Sequence, residues 1–244
     1  FLGDNGQIEV KQARMQTALS DINLDYLLLD GDNWLEYRDF IDKIPIICDI
    51  TNSCVSSEDV GYFATTIWGW QTTVRNATVS MNGPVANFKG KIAHATLEDG
   101  GVLQGSARVR GLIDVEKTHF DIDVEKLQAS TEEIAYLLNT IAHLSLGESA
   151  TQYVERVKSV DASGAFQGTI REFKANASGG DVRLECSMKN PTNGRKGVKA
   201  NVEAADLDLA SLLANTIVGD ATFAADVEVE LGDEKPIMLK GNGS

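Results

Sequence analysis

Thr222-Phe223-Ala224-Ala225-Asp226-Val227-Glu228-Val229-Glu230-Leu231 places Phe223, Ala225, Val227, Val229 and Leu231 at every second position. Successive side chains of a strand point to opposite faces, so a period of two belongs to a strand and not to a helix. The same alternation recurs in Ile22, Leu24, Tyr26 and Leu28, in Phe120, Ile122 and Val124, and in Val182, Leu184, Cys186 and Met188. The residues between them are mostly Asp, Glu, Asn, Arg and Lys. Clean alternation over this many segments predicts antiparallel strands with one buried and one wet face. Asp30-Gly31-Asp32, Gly100-Gly101, Gly179-Gly180 and Asn193-Gly194 are read as the turns between them.

Helical signals are short. Ser130 and Glu133 fit a capping box, followed by Ile134, Leu137, Leu138 and Ile141 on one face. Further short helices are expected from Ser57, from about Glu148 and from Asp208. The fold class is therefore mainly β: a repetitive, mostly antiparallel, curled sheet with a few short helices.

Two stretches recur in the same order. Ser56-Ser57-Glu58-Asp59-Val60-Gly61-Tyr62-Phe63 matches Ser130-Thr131-Glu132-Glu133-Ile134-Ala135-Tyr136-Leu137 in character, and Asp208 to Leu213 is a weaker third copy. Gly83-Pro84-Val85-Ala86-Asn87-Phe88 matches Gly168-Thr169-Ile170-Arg171-Glu172-Phe173, both Gly-x-β-branched-x-x-Phe. Residues 1–244 thus read as one continuous repetitive segment, with units near 20–70, 71–158 and 159–231.

Composition bounds the function classes. Apolar residues are 43% and charged residues 24%, ordinary for a globular chain. The net charge of −14 repels nucleic acid and anionic headgroups. Arg171, Arg183, Arg195 and Lys196 are scattered, and no basic patch is legible. Three cysteines, Cys48, Cys54 and Cys186, make no disulfide framework, and free buried thiols are preferred to a Cys48–Cys54 pair. The uncharged run Val60 to Trp70 has 11 residues, too short to span a bilayer. No signal peptide or lipidation motif is read, and a start at Phe1 is expected of a piece of a longer protein or a processed product.

Catalytic and metal signatures are weak. Of the three histidines, His94, His119 and His143, His119 precedes Asp121 and Asp123, but Asp-x-Asp is what a solvated strand face looks like; Cys48 and Cys54 lack a nearby His in sequence. Asp30-Gly31-Asp32-Asn33 lacks the spacing and closing Glu of a calcium loop and is read as a hairpin turn. Gly-x-Ser-x-Gly, phosphate-loop and His-Glu-x-x-His motifs are missing. No catalytic residue, no metal and no cofactor is therefore expected. Trp68-Gly69-Trp70 is either a plug of the preceding helix against the sheet, the preferred reading, or a lipid- or partner-facing belt.

Four stretches carry a resemblance: Trp34-Leu35-Glu36-Tyr37-Arg38-Asp39-Phe40 leading into Ile44 to Ile50; Ser57 to Ala64; Gly83 to Phe88 with Gly105 to Leu112; and Gly164 to Gly168 with Phe173, running to Asp206-Leu207-Asp208-Leu209. Over about residues 20–230 the chain resembles the AsmA-like family and, within it, the translocation and assembly module TamB proteins. The resemblance implies a periplasmic segment of an inner-membrane-anchored envelope protein. It implies a long curled sheet with an apolar groove, phospholipid or other acyl chains as partners, and an outer-membrane assembly protein as another. Non-enzymatic lipid transport toward, or protein assembly in, the outer membrane is the leading function. The alternative is a β-sandwich interaction or sugar-binding module whose core is self-filled. A hydrolase on a β scaffold ranks third, and nucleic acid is not an expected partner. Phe166, Ile170, Val182, Leu184, Val227 and Val229 are the candidates for the groove, since period-two geometry sends them to one side.

Overall fold

The computed structural model describes residues 6–61, 71–112, 117–134, 136, 159–169, 171–180, 182–189, 196–208, 220–231 and 236–243. At 196–198, 206–208, 220–221, 227–231 and 236–243 it describes the backbone only. Strands take up most of these residues, they pair antiparallel, and the helices are few and short, as the alternation predicts.

Two compact units divide the chain: Phe1–Thr118 with Val124–Ala129, and His119–Asp123 with Ser130–Ser244. The first holds β1 (Gln7–Gln16), β2 (Asp21–Asp30), β3 (Ile46–Ser56), β4 (Thr73–Gly83), β5 (Asn87–Thr96) and β6 (Val102–Arg110), each paired with the next in the chain. β7 (His119–Ser130) is shared between the units. The second holds β8 (Ser159–Gly168), β9 (Phe173–Gly179), β10 (Val182–Lys189), β11 (Lys196–Asp208), β12 (Asp220–Leu231) and β13 (Pro236–Gly243), again paired in chain order.

The link from β2 to β3 differs from the expectation. Asp30-Gly31-Asp32 is not a hairpin turn; it leads into a 3-10 helix, Trp34–Asp39, followed by α1 (Phe40–Lys43). Asn33 caps the 3-10 helix, its side-chain oxygen accepting from Leu35 N at 3.0 Å, and the Asp32 N–H donates to Glu36 Oε2 at 2.9 Å. Trp34, Tyr37 and Phe40 recur every third residue, the 3-10 period, and their rings stack at 5.5 and 6.3 Å. β3 accordingly begins at Ile46 rather than at Ile44. Ile44 instead turns inward and is completely buried beside Gly31.

The expected helix starts at Ser57 and Ser130 are found. α2 is Ser57–Gly61, and residues 131–134 are helical, with the Glu133 N–H donating to Ser130 Oγ at 3.0 Å. The helices expected from Glu148 and beyond Asp208 fall outside the described residues. Asp208 itself ends β11.

α2 is tied to the β1–β2 turn through Asp59, whose carboxylate accepts from Thr17 Oγ1 at 2.6 Å and from the Ser20 hydroxyl. Those hydroxyl bonds, Ser20 first, hold the Asp59 carboxyl below the usual carboxylate range. A depressed folded value stabilises the fold above the unfolded value, and that stability is lost as pH falls through the folded one. Asp59→Asn removes this titration. The variant should melt lower than wild type at pH 7 and show a shallower decline of melting temperature on acidification. Parallel acid limbs would refute the linkage.

The repeated Gly-x-β-branched-x-x-Phe stretch forms the same hairpin twice. Gly83 ends β4 and Gly168 ends β8, with φ of +113° and +134°. Asn82 faces Lys89 across the first hairpin, and Gln167 faces Lys174 across the second. Phe88 and Phe173 are both half-buried.

Candidate functional site

Register decides which side chains share a face. In the second unit Phe166 lies opposite Ala175, Ala175 opposite Cys186, Cys186 opposite Ala200 and Ala200 opposite Val227. One pleat to one side runs Gly164, Ala177, Leu184, Val202 and Ala225; one pleat to the other runs Gly168, Phe173, Met188, Val198 and Val229. Directly paired residues of an antiparallel ladder point to the same side, and so do residues two apart. Fifteen positions across five strands thus share one register face, all of apolar residue types apart from Cys186, with Val198, Val227 and Val229 placed by their backbone alone. The rows between them carry Gln167, Lys174, Ser187 and Lys199, and Asn176, Glu185, Asn201 and Asp226, on the other face.

Four of the six groove candidates, Phe166, Leu184, Val227 and Val229, fall in these rows, and Val182 faces Gly179 one pleat beyond them. Phe166 is half-buried and stacks on Phe173 at 5.0 Å, Val182 is half-buried, and Leu184 keeps 38% of its surface. Val227 and Val229 are placed by backbone register only, and Ile170 lies outside the described residues. A depression of about 780 Å³ in this unit is bordered by Phe166, Ala175, Cys186 and Ala200 of the apolar row as well as by polar residues such as Lys174 and Glu185, and Val182 borders a second one of about 480 Å³.

The first unit repeats the segregation. Val10, Leu27, Cys48, Met81, Gly90 and Ala107 form one row, and Leu24, Ile50, Val79, Ile92 and Gly105 another. The described apolar residues that are fully covered are mostly small: Ala77, Ala86, Ala95, Ala129 and Ala204, with Ile44, Leu97 and Val109. The larger side chains of the apolar rows are half-buried at best. A sheet sealed by a second layer would bury them, because each large aliphatic side chain gains about 1.5–3 kcal/mol on full burial.

The remaining candidates are dispersed. His94 approaches Thr96 Oγ1 at 3.4 Å, and His119 opens β7. His143 and Trp68-Gly69-Trp70 lie outside the described residues. Cys48, Cys54 and Cys186 are free thiols, and burial pushes those of Cys48 and Cys186 up. Among the described residues no three His, Cys, Asp or Glu side chains converge on a point where a metal ion would sit. No described helix is long and apolar enough to cross a membrane. Fold and faces together define, in each unit, an antiparallel meander with one apolar and one polar face. Comparison with family models, with curated proteins and with solved structures finds no match.

Proposed function

We propose that this chain is a non-enzymatic, acyl-chain-contacting segment of a cell-envelope protein. Its role would be of the kind the AsmA-like resemblance implies: phospholipid movement toward, or protein assembly in, the outer membrane, carried out from the periplasm. The observation that carries this reading is the uninterrupted apolar register from Phe166 to Val227 and its flanking rows, with Leu184 left 38% exposed. Hydrocarbon chains suit such a surface because they need contact area and no hydrogen-bond partner. A sugar-binding reading draws support from the larger depression, where Asn176, Glu185, Asn201 and Asp226 supply donors and acceptors. Phe166 borders the same depression and offers a ring on which a sugar could stack.

Leu184→Arg separates the readings when melting temperature and lipid content of the purified protein are measured together. On an open face the guanidinium reaches water past its neighbours, so the fold should survive with a change near the ~0.5 kcal/mol typical of surface substitutions. Copurifying lipid should fall. A wild-type protein that carries no lipid and does not take up fluorescent fatty acid would overturn the acyl-chain reading. Collapse of the variant would mark Leu184 as core.

A further inference from the structure

The polar side of the first unit gathers cations that lie apart in sequence. Lys89 is directly opposite Arg108, Asn87 opposite Arg110, and Lys91 opposite Ser106. Lys89, Lys91, Arg108 and Arg110 therefore project from one face of β5 and β6, and all four are exposed. Residues directly opposite are about 4.5–5.5 Å apart at Cβ, and diagonal ones about 7–8 Å. The pleats between them, Phe88, Gly90, Ala107 and Val109, point the other way. On the β4 side the cluster is flanked by neutral Asn82 and Ser80. The next carboxylate in those rows, Asp49, is two strands from Lys91, about 10 Å. Among the described residues none of the four cations is in an ion pair.

One feature sets this cluster apart from a solvated strand face: Lys89 facing Arg108 is a like-charge cross-strand pair, an arrangement that destabilises a ladder when nothing sits between the charges. Sequence reading finds no basic patch because Lys89 and Arg108 meet only through the register of a hairpin.

The geometry points to an anion site formed by Lys89, Lys91, Arg108 and Arg110 that takes phosphate esters. Two guanidinium forks favour phosphate, whose oxygens accept bidentate bonds from each, and the two ammonium groups add charge without demanding direction. Asn87 and Ser106 stand in the same pairs as further donors. The site lies on the face opposite the apolar rows, so it does not depend on the acyl-chain reading. A phospholipid headgroup and a soluble phosphate ester offer the same chemistry.

The test uses the whole chain. Sedimentation with vesicles of phosphatidylcholine containing about one-third phosphatidylglycerol is compared with pure phosphatidylcholine, at low and raised salt. Titration calorimetry with inorganic phosphate and with glycerophosphate forms the soluble arm. Wild type should bind at least one of these phosphate probes and lose binding in salt. Each neutralised cation near an anionic surface should weaken vesicle binding about fivefold, so Lys89→Gln with Arg108→Gln should weaken it about 25-fold. The same double variant should melt no lower than wild type without ligand, because a repulsive pair is gone. Arg183→Gln, which removes a cation from the second unit, should leave binding unchanged.

Vesicle binding without a soluble signal assigns the site to headgroups presented on a surface, and a glycerophosphate signal extends it to free phosphate esters. Wild type that binds no probe overturns the proposal, as does a double variant that binds as wild type does. Tighter binding of a single-stranded oligothymidylate, lost in the same variant, would replace it with a nucleic-acid surface. Should the double variant fail to fold, Lys91→Gln and Arg110→Gln carry the same comparison singly.

Discussion

Ile44→Ala is expected to destabilise the first unit by about 2–5 kcal/mol, the cost of truncating a fully buried aliphatic side chain and leaving a cavity. Ile44 has no accessible surface. Gly31 is close enough that a Cβ on it would come 3.1 Å from Ile44 Cδ1 and 2.9 Å from the Tyr37 ring. Tyr37 in turn donates its hydroxyl to the Gly6 carbonyl at 2.8 Å. The Ala86 N–H donates to the Ile41 carbonyl at 2.8 Å, which fixes the same segment to the β4–β5 turn. Ile44 therefore sits where the β2–β3 connection meets the sheet, with little prospect of collapse around a hole. A urea midpoint reads the effect. Ile41→Ala, three residues away and 51% exposed, should stay within the ~0.5 kcal/mol of a surface change. Equal losses for the two would place the core elsewhere.

Gly83→Ala and Gly168→Ala should each cost more than the ~1–3 kcal/mol of an ordinary strained backbone residue, and by similar amounts. Both glycines occupy a φ region that other residues rarely enter. A Cβ on Gly83 would stand 2.5 Å from the Asn87 carbonyl oxygen, and one on Gly168 would be closer still to that of Glu172 and 2.7 Å from Phe173 Cα. Gly100→Ala is the comparison: its φ is +88° but open space surrounds it, so backbone strain acts alone. Melting temperatures of the three variants check this. If Gly83→Ala is tolerated as well as Gly100→Ala while Gly168→Ala is not, the two hairpins are not equivalent.

What could be read from the sequence was what is encoded within a few residues. Alternation in Val182 to Met188 or Phe223 to Leu231 reports the strand and its faces because the period is built into the pleat. Ser130 with Glu133 reports a helix start because the cap bond spans three residues. The 3-10 helix carried a comparable signal in Trp34, Tyr37 and Phe40, hidden by an expectation of strand on both sides. Register is a different kind of information. Lys89 meets Arg108, and Cys186 meets Ala200, only after turn lengths and shifts such as those between Ile50 and Ser53 are known. Asn52 and Asn76 hold positive φ of 43° and 49° where those ladders slip. Nothing in their local sequence separates them from other strand asparagines. The candidate apolar face was thus legible strand by strand, whereas its continuity and the basic cluster on the opposite side were not.

Pairing of each strand with its successor inside each unit has a kinetic corollary. Within each meander no partner has to be fetched from a remote part of the chain: Gln7 pairs with Asp30, Phe166 with Ala175, and Val182 with Ala204. Loop closure is inexpensive at such separations, so ordering can begin at any hairpin and spread like a zipper to either side. Cohesion is then a sum of neighbour-to-neighbour terms, as in solenoids, and unravelling starts at the outermost strands and moves inward one strand at a time. A chain built this way can acquire structure progressively as it emerges from a ribosome or a translocation pore, each new strand finding its template already in place.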